Sequence, residues 1–331
     1  MNYITLPNTD LKVSKVCLGC MGFGDAQKGM HKWTLDYDHT KEIIEQALKA
    51  GINFFDTAMG YQMGTSEEYL GRAIQELSAR ENVIIATKFV PRSLEQIEQG
   101  IGAKEHIFSC LENSLKRLKT DYIDLYYLHM WDKETPIEET LEALNECVKC
   151  GKVRYIAISN CFAWQLAKAN EIAKANGWAP FVAVQGHYNL IFREEEREMA
   201  PYCNEHGISM IPYSALAAGR LARKIGETSS RLEKDAFAKG KYDATEDLDN
   251  QVIERVYELS VKKQVSMTAI SLAWLMTKVA SPVVGATKPH HLEGIVEAMD
   301  VELSKEELVY LEELYQPHKL VGVMVNQKGS R

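Results

Sequence analysis

The sequence of 331 residues contains no run of about 18 consecutive apolar residues, the minimum for a membrane-spanning helix. Its start, Met1-Asn2-Tyr3-Ile4-Thr5, lacks the charged and then apolar regions of an export signal. Positive charge is not in excess: 38 basic against 46 acidic residues leave a net charge of −8, opposite to the footprint of a nucleic-acid binder. Seven cysteines are an odd number in a chain long enough to bury its own core, so no disulfide framework is expected. The Gly-x-Gly-x-x-Gly fingerprint of an open dinucleotide-binding sheet is also missing. Gly19-Cys20-Met21-Gly22-Phe23-Gly24 has the wrong glycine spacing and leads into the polar, non-periodic segment Asp25 to Asp38 rather than a helix. Together these absences predict a soluble, cytoplasmic protein with neither nucleic acid nor membrane as partner. They leave oligomeric state open.

What is present is a globular balance, 46% hydrophobic and 25% charged, in which short apolar runs alternate with amphipathic stretches. Strand candidates are Val16 to Leu18, Ile52 to Phe55, Val83 to Ala86, Tyr122 to Tyr127, Val153 to Ile158, Phe181 to Val184, Ile208 to Ile211 and Val283 to Val284. Helical spacing fits residues 104–118, 163–176, 194–206, 249–263, 268–278, 289–299 and 304–314, and the faces Ile43-Ile44-Ala47-Leu48 and Tyr69-Leu70-Ala73-Ile74-Leu77. Thr135-Pro136-Ile137-Glu138 reads as a capping box with proline at the first helical position, and Gly151 as the end of that helix. Eight βα units without a linker predict an α/β fold, a (β/α)8 TIM barrel, in one domain over 1–331 with 316–331 as a tail. Tyr3 to Leu6 and Leu11 to Val13 form an N-terminal hairpin over the barrel bottom, and extra helices lie near the C-terminus. The polar connection 217–248 is long enough to expect a functional loop. Two Cys-x-x-Cys pairs, Cys17/Cys20 and Cys147/Cys150, invite a zinc site, but the first belongs to a strand and the second closes a helix, so no metal is expected.

In such barrels the active site gathers at the carboxyl ends of the strands. There the second strand ends in Asp56-Thr57-Ala58 with Tyr61 just beyond, the third in Thr87-Lys88 and the fourth in Leu128-His129. Ionisable groups at the ends of three consecutive apolar runs place charge near the core, a cost that mutual pairing removes. An ammonium about 4 Å from a phenol of pKa near ~10 is worth at most about 4 kcal/mol at an effective dielectric of ~20, on the order of a thousandfold in acidity. Lys88 is therefore expected to draw Tyr61 toward neutrality, with Asp56 fixing Lys88. The residues alone do not choose between Tyr61 and a neutral His129 as proton donor. Candidate walls of a fairly apolar substrate slot are Phe23, Trp33, Met59, Phe89, Trp131 and Phe192.

Asp56-Thr57-Ala58 with Tyr61, then Thr87-Lys88, then Leu128-His129 resemble the catalytic tetrad pattern of the aldo-keto reductases, and the resemblance runs from about residue 1 to about residue 316. It implies reduction of aldehydes or ketones with a nicotinamide cofactor and Tyr61 as general acid. It also implies that Ser159, Asn160 and Gln185 hold the carboxamide, that Tyr213 carries the nicotinamide ring, and that Ser214, Leu216 and Gly219 meet the pyrophosphate. Ala215 stands where the family commonly has proline, and Arg220 and Arg231 add charge nearby. Thr287, Lys288 and His291 surround a helix start that resembles the family's adenosine-phosphate site, and residues 285–292 contain no carboxylate, which favours NADPH over NADH. Gly294-Ile295 replaces the usual Glu-Asn adenine contacts. Gly51 to Asp56 and Tyr188 to Glu194 look especially like bacterial YajO-type reductases, which brings sugar or sugar-phosphate carbonyls into consideration. Barrels resembling this family also serve as channel-associated β subunits with little turnover, the alternative function.

Overall fold

The computed structural model describes residues 1–229, 232–233 and 235–327, with residues 326–327 described by backbone only. Strands β1 (Tyr3–Thr5) and β2 (Lys12–Ser14) pair antiparallel, Tyr3 opposite Ser14. The remaining strands are β3 (Cys17–Gly19), β4 (Phe54–Asp56), β5 (Ile84–Phe89), β6 (Ile123–Leu128), β7 (Val153–Ser159), β8 (Phe181–Gln185), β9 (Ser209–Met210) and β10 (Val283–Gly285). They form one parallel sheet in the order β10-β3-β4-β5-β6-β7-β8-β9. Its ends meet through Val283 N donating to Pro212 O at 2.8 Å and Ala280 N donating to Met210 O at 3.1 Å, so the sheet curls into the expected barrel. β9 is shorter than the expected Ile208 to Ile211, although Ile211 N still donates to Val184 O at 2.9 Å.

The core is split by the alternation of side chains along each strand. Phe54, Ile84, Ala86, Leu125, Tyr127, Ala157, Ala183 and Ile211 fill the barrel interior together with Leu6, Leu11 and Val13 of the hairpin, which plugs the amino-terminal end. Their neighbours Phe55, Ile85, Tyr126, Ile156, Ile158 and Val184 face outward into the helix layer. The hairpin is tied down at Asp10, which accepts from Arg154 Nη2 at 2.9 Å and Tyr155 Oη at 2.9 Å.

Most expected helices form, among them Ala103–Leu118 and Ala163–Asn176. Three details differ. Helix Ile137–Lys149 has Pro136 as its N-cap and no side-chain cap, because the Thr135 hydroxyl is taken by Arg92 Nη2 at 2.8 Å. The stretch 194–206 breaks into a single turn, Glu194–Glu196, and a helix, Met199–His206. Among its described residues, segment 217–248 holds turns at Ala217–Ala222 and Asp243–Thr245 and a helix at Ala236–Tyr242, and it runs into helix Glu246–Lys263.

Candidate active site

Each strand-end polar residue lies two positions beyond an inward-facing core residue: Asp56 after Phe54, Lys88 after Ala86, His129 after Tyr127, Ser159 after Ala157, Gln185 after Ala183 and Tyr213 after Ile211. The alternation that buries the apolar set therefore aims the polar set into the carboxyl-terminal mouth.

Lys88 is fully buried and donates from Nζ to Asp56 Oδ1 at 2.5 Å, to Thr57 O at 2.7 Å and to Tyr61 Oη at 3.4 Å. Burial alone pushes the ammonium down, but the charges of Asp56 and Tyr61 pull it up and win, so Lys88 stays protonated. For Tyr61 the balance is the other way. Burial raises the phenol, Lys88 lowers it, Asp56 raises it again, and the net direction is up. The expected drift of Tyr61 toward neutrality is thus overturned, because Asp56 screens the ammonium and the site is desolvated. The result is a protonated phenol beside a permanent cation.

The His129 ring stands edge-on to the Tyr61 ring at 6.0 Å between centroids. Burial first, and then Lys88, lower its pKa to about 3, so the imidazole is neutral. Its Nδ1 is buried and meets no partner among the described residues.

The residues expected around the nicotinamide form one hydrogen-bonded chain. Tyr213 Oη donates to Asn160 Oδ1 at 3.0 Å, Asn160 Nδ2 donates to His129 O and Ser159 Oγ, each at 2.9 Å, and Ser159 Oγ donates to Gln185 O at 2.8 Å. Gln185 Nε2 closes it on Asp56 Oδ2 at 2.9 Å. Asn160 and Ser214 hold positive φ, 52° and 59°, which turns the chain sharply at both strand ends.

In the expected pyrophosphate segment Leu216 is half-buried, and the Gly219 N–H is committed to Leu216 O at 2.7 Å rather than turned outward. Arg220 donates from Nη2 to Asp243 at 2.6 Å while its Nη1 is buried without a partner among the described residues. Arg231 lies outside the described residues. Lys288 is exposed at the N-cap of helix Pro289–Glu297, with Pro289 in the first turn. Thr287 N donates to His291 Nδ1 at 3.2 Å, which leaves the proton of a neutral ring on Nε2. Gly294 abuts Ser266 and Thr268, where an added Cβ would lie 3.1 Å away, and Ile295 is buried, so neither position presents a polar group to an adenine.

The substrate walls need correction. Phe89 follows Lys88 and must face the opposite way; it stacks on Tyr126 at 5.1 Å in the outer core. Phe23 is fully buried, and Phe192 stacks on His187 at 4.0 Å. Trp33, Met59 and Trp131 remain half-exposed and can wall a slot.

Several residues at the mouth went unnoticed in the sequence. His187, two beyond Gln185, continues the inward spacing; it is buried, contacts Tyr242 Oη at 2.7 Å and stacks on Tyr213 at 5.5 Å. Asn189 Nδ2 donates to Ser214 O at 2.9 Å. Lys241 Nζ stands 4.7 Å from the Tyr213 ring centre, and nothing in its polar surroundings signalled that. Among the described residues no group of three or more His, Cys, Asp or Glu side chains is placed to hold a metal ion, and no helix is long and apolar enough to cross a membrane.

The residues fit a nicotinamide dinucleotide: a tyrosine and amide cluster at the mouth, a buried Arg220 nitrogen without a partner among the described residues, and an exposed lysine at a helix start. The chain also has relatives. The family model described as aldo/keto reductase family matches residues 15–316. A versiconal hemiacetal acetate reductase of Aspergillus parasiticus is 39% identical, covering 96% of this chain and 98% of that protein. A putative aryl-alcohol dehydrogenase of Saccharomyces cerevisiae, AAD16, is 35% identical over 96% of this chain and 97% of its own length. The crystal structure of a thermostable aldo-keto reductase, Tm1743, in complex with the inhibitor epalrestat superposes with a TM-score of 0.76 at 28% identity, covering 95% of this chain and all of that one.

Proposed function

The chain belongs to the aldo/keto reductase family, and on that premise we propose that it is an NADPH-dependent reductase of aldehydes and ketones, aromatic carbonyls foremost, with Tyr61 as general acid. The observation that carries the reading is the single ammonium of Lys88 bound at once to Asp56 and Tyr61, beside a neutral His129.

NADPH, when bound, supplies the hydride that reaches the carbonyl carbon. The chain's own work is on the oxygen. As negative charge develops there, the Tyr61 hydroxyl donates its proton, and the neighbouring Lys88 cation stabilises the phenolate left behind. Asp56 keeps Lys88 charged and in place. His129, kept neutral by burial and by Lys88, hydrogen-bonds the same oxygen and orients the carbonyl. Ser159, Asn160, Gln185 and Tyr213 would hold the nicotinamide, and Arg220, Thr287, Lys288 and His291 the phosphates.

Aromatic substrates are favoured by the half-exposed Trp33, Met59 and Trp131 and by relatives named for aryl alcohols. The likeness of Gly51 to Asp56 and Tyr188 to Glu194 to YajO-type reductases keeps sugar and sugar-phosphate carbonyls as the second class. The same reading takes the chain as one barrel domain working in the cytoplasm. The test is NADPH oxidation by the purified chain against benzaldehyde, a short aliphatic aldehyde and an aldose phosphate. Turnover of benzaldehyde is expected; failure with all three would sink the reading in favour of a cofactor-binding regulatory role.

A further inference from the structure

The residue after the catalytic tyrosine has an unusual posture. Gln62 and Met63 both lie in the left-handed region, at φ 47° and 55°, where neither is a glycine. Gln62 is nonetheless 1% exposed, and its side chain points under the segment 25–34 that leads away from the carboxyl end of β3. Its Nε2 donates toward Asp25 O at 2.9 Å and His31 O at 3.0 Å, and also toward Lys28 O, while Oε1 accepts from His31 N at 3.0 Å. Thr65 completes the knot: Oγ1 accepts from Asp25 N at 3.0 Å and donates to Gln62 O at 2.8 Å.

The segment is shaped around this amide. Gly24 and Gly29, at φ 122° and 70°, lie so close that a Cβ on either would sit 2.8 Å from a Gln62 atom. Segment 25–34 contains no helix or strand of its own, so one side chain supplies the interior that backbone pairing would otherwise supply. Trp33 lies on this segment, and its ring edge comes within 3.3 Å of the Cβ position of Gly22, which is also 3.1 Å from Thr287 Cγ2. The tryptophan thus sits at the barrel mouth over the carboxyl ends of two adjoining strands, β3 and β10.

We propose that Gln62 is a positioning residue: it staples segment 25–34 to the backbone that carries Tyr61, and so holds Trp33 as the substrate wall that gives aromatic aldehydes their advantage over small aliphatic ones. The inference rests on the reductase reading and adds to it the element that sets substrate preference. Gln62 takes no part in proton transfer. Its effect falls on substrates large enough to press on the wall.

The test uses Gln62→Glu, which keeps the shape but faces three carbonyl oxygens with a carboxylate and no donor, and the milder Gln62→Ala. Trypsin reads the segment directly, since Lys28 and Lys32 are exposed on it. Cleavage after these lysines is expected to speed up about tenfold, and the ratio of kcat/KM for benzaldehyde over propanal to fall about tenfold, mainly through KM. NADPH affinity, measured by fluorescence, stays within about twofold because Gln62 touches none of the proposed cofactor residues. Trp33→Ala, which leaves the staple intact, must lower the same ratio. An unchanged ratio in these variants, or equal loss of kcat for both aldehydes, overturns the proposal, as does unaltered cleavage. If the wild type reduces neither aldehyde, the reductase reading fails instead, and the cleavage rates still decide whether Gln62 holds the segment.

Discussion

Gln185 on β8 donates from Nε2 to Asp56 Oδ2 on β4 at 2.9 Å, a bond that crosses the barrel from wall to wall. The carboxylate that holds Lys88 is therefore held in turn by a residue of the proposed nicotinamide cluster, and the proposed catalytic and cofactor groups share one hydrogen-bonded network. Asp56→Asn leaves the buried ammonium without its counter-charge. Loss of about 3–5 kcal/mol of stability is expected, read from the denaturant midpoint, together with near-complete loss of turnover.

Tyr61→Phe removes the proposed proton donor and little else. Turnover is expected to fall by roughly two to four orders of magnitude, with NADPH affinity unchanged within a few-fold, measured by single-turnover kinetics and fluorescence titration. Retained turnover would reassign the acid to His129.

Lys88→Met acts on the pH profile. Reduction needs the protonated phenol, so activity is full below the Tyr61 pKa and is lost as pH rises through it. Lys88 is the group that pulls this pKa down against burial and Asp56. Its removal moves the alkaline limb of residual activity to higher pH, and a limb that stays put would contradict the coupling.

His129 contributes to stability through its neutral form. Its folded pKa, about 3, lies below the ordinary 6.5, so the unfolded chain binds the extra proton and stability falls as pH drops from about 6.5 toward 3. His129→Gln should flatten that acid loss, seen as a smaller drop in Tm between neutral pH and the most acid pH at which the protein still unfolds reversibly.

Lys288→Ala tests the phosphate preference. A single charge-assisted contact at the helix start is worth roughly 1.5–3 kcal/mol, so the advantage of NADPH over NADH should shrink by about tenfold or more in kcat/KM. Equal efficiency of the two cofactors in the wild type would refute the assignment outright.

The barrel was legible because each strand is an apolar run whose alternate residues serve two different layers. The same alternation made the tetrad legible, since Asp56, Lys88 and His129 extend the inward rows. It also held the signal that Phe89 faces outward, a rule that reading residues by aromatic type alone ignored. The direction of the Tyr61 shift is not legible from one pair of residues: Lys88 pulls the phenol down, but burial and Asp56 push it up and win. Gln62 was invisible because its partners are backbone carbonyls, which no side-chain pattern encodes. Thr135 read as a cap until a distant arginine, Arg92, claimed its hydroxyl.

The shared spacing of core and mouth residues has a consequence for inheritance. Deleting one residue within Ile84–Ile85 would rotate Thr87 and Phe89 into the cavity and Lys88 into the helix layer, so packing and chemistry would vanish in one step. A change of length in such a strand is therefore felt in the core and in the proposed site together. The connecting segments are free of that constraint: the stretch from Asp25 to Thr34 takes its shape largely from the Gln62 amide and not from the register beneath it.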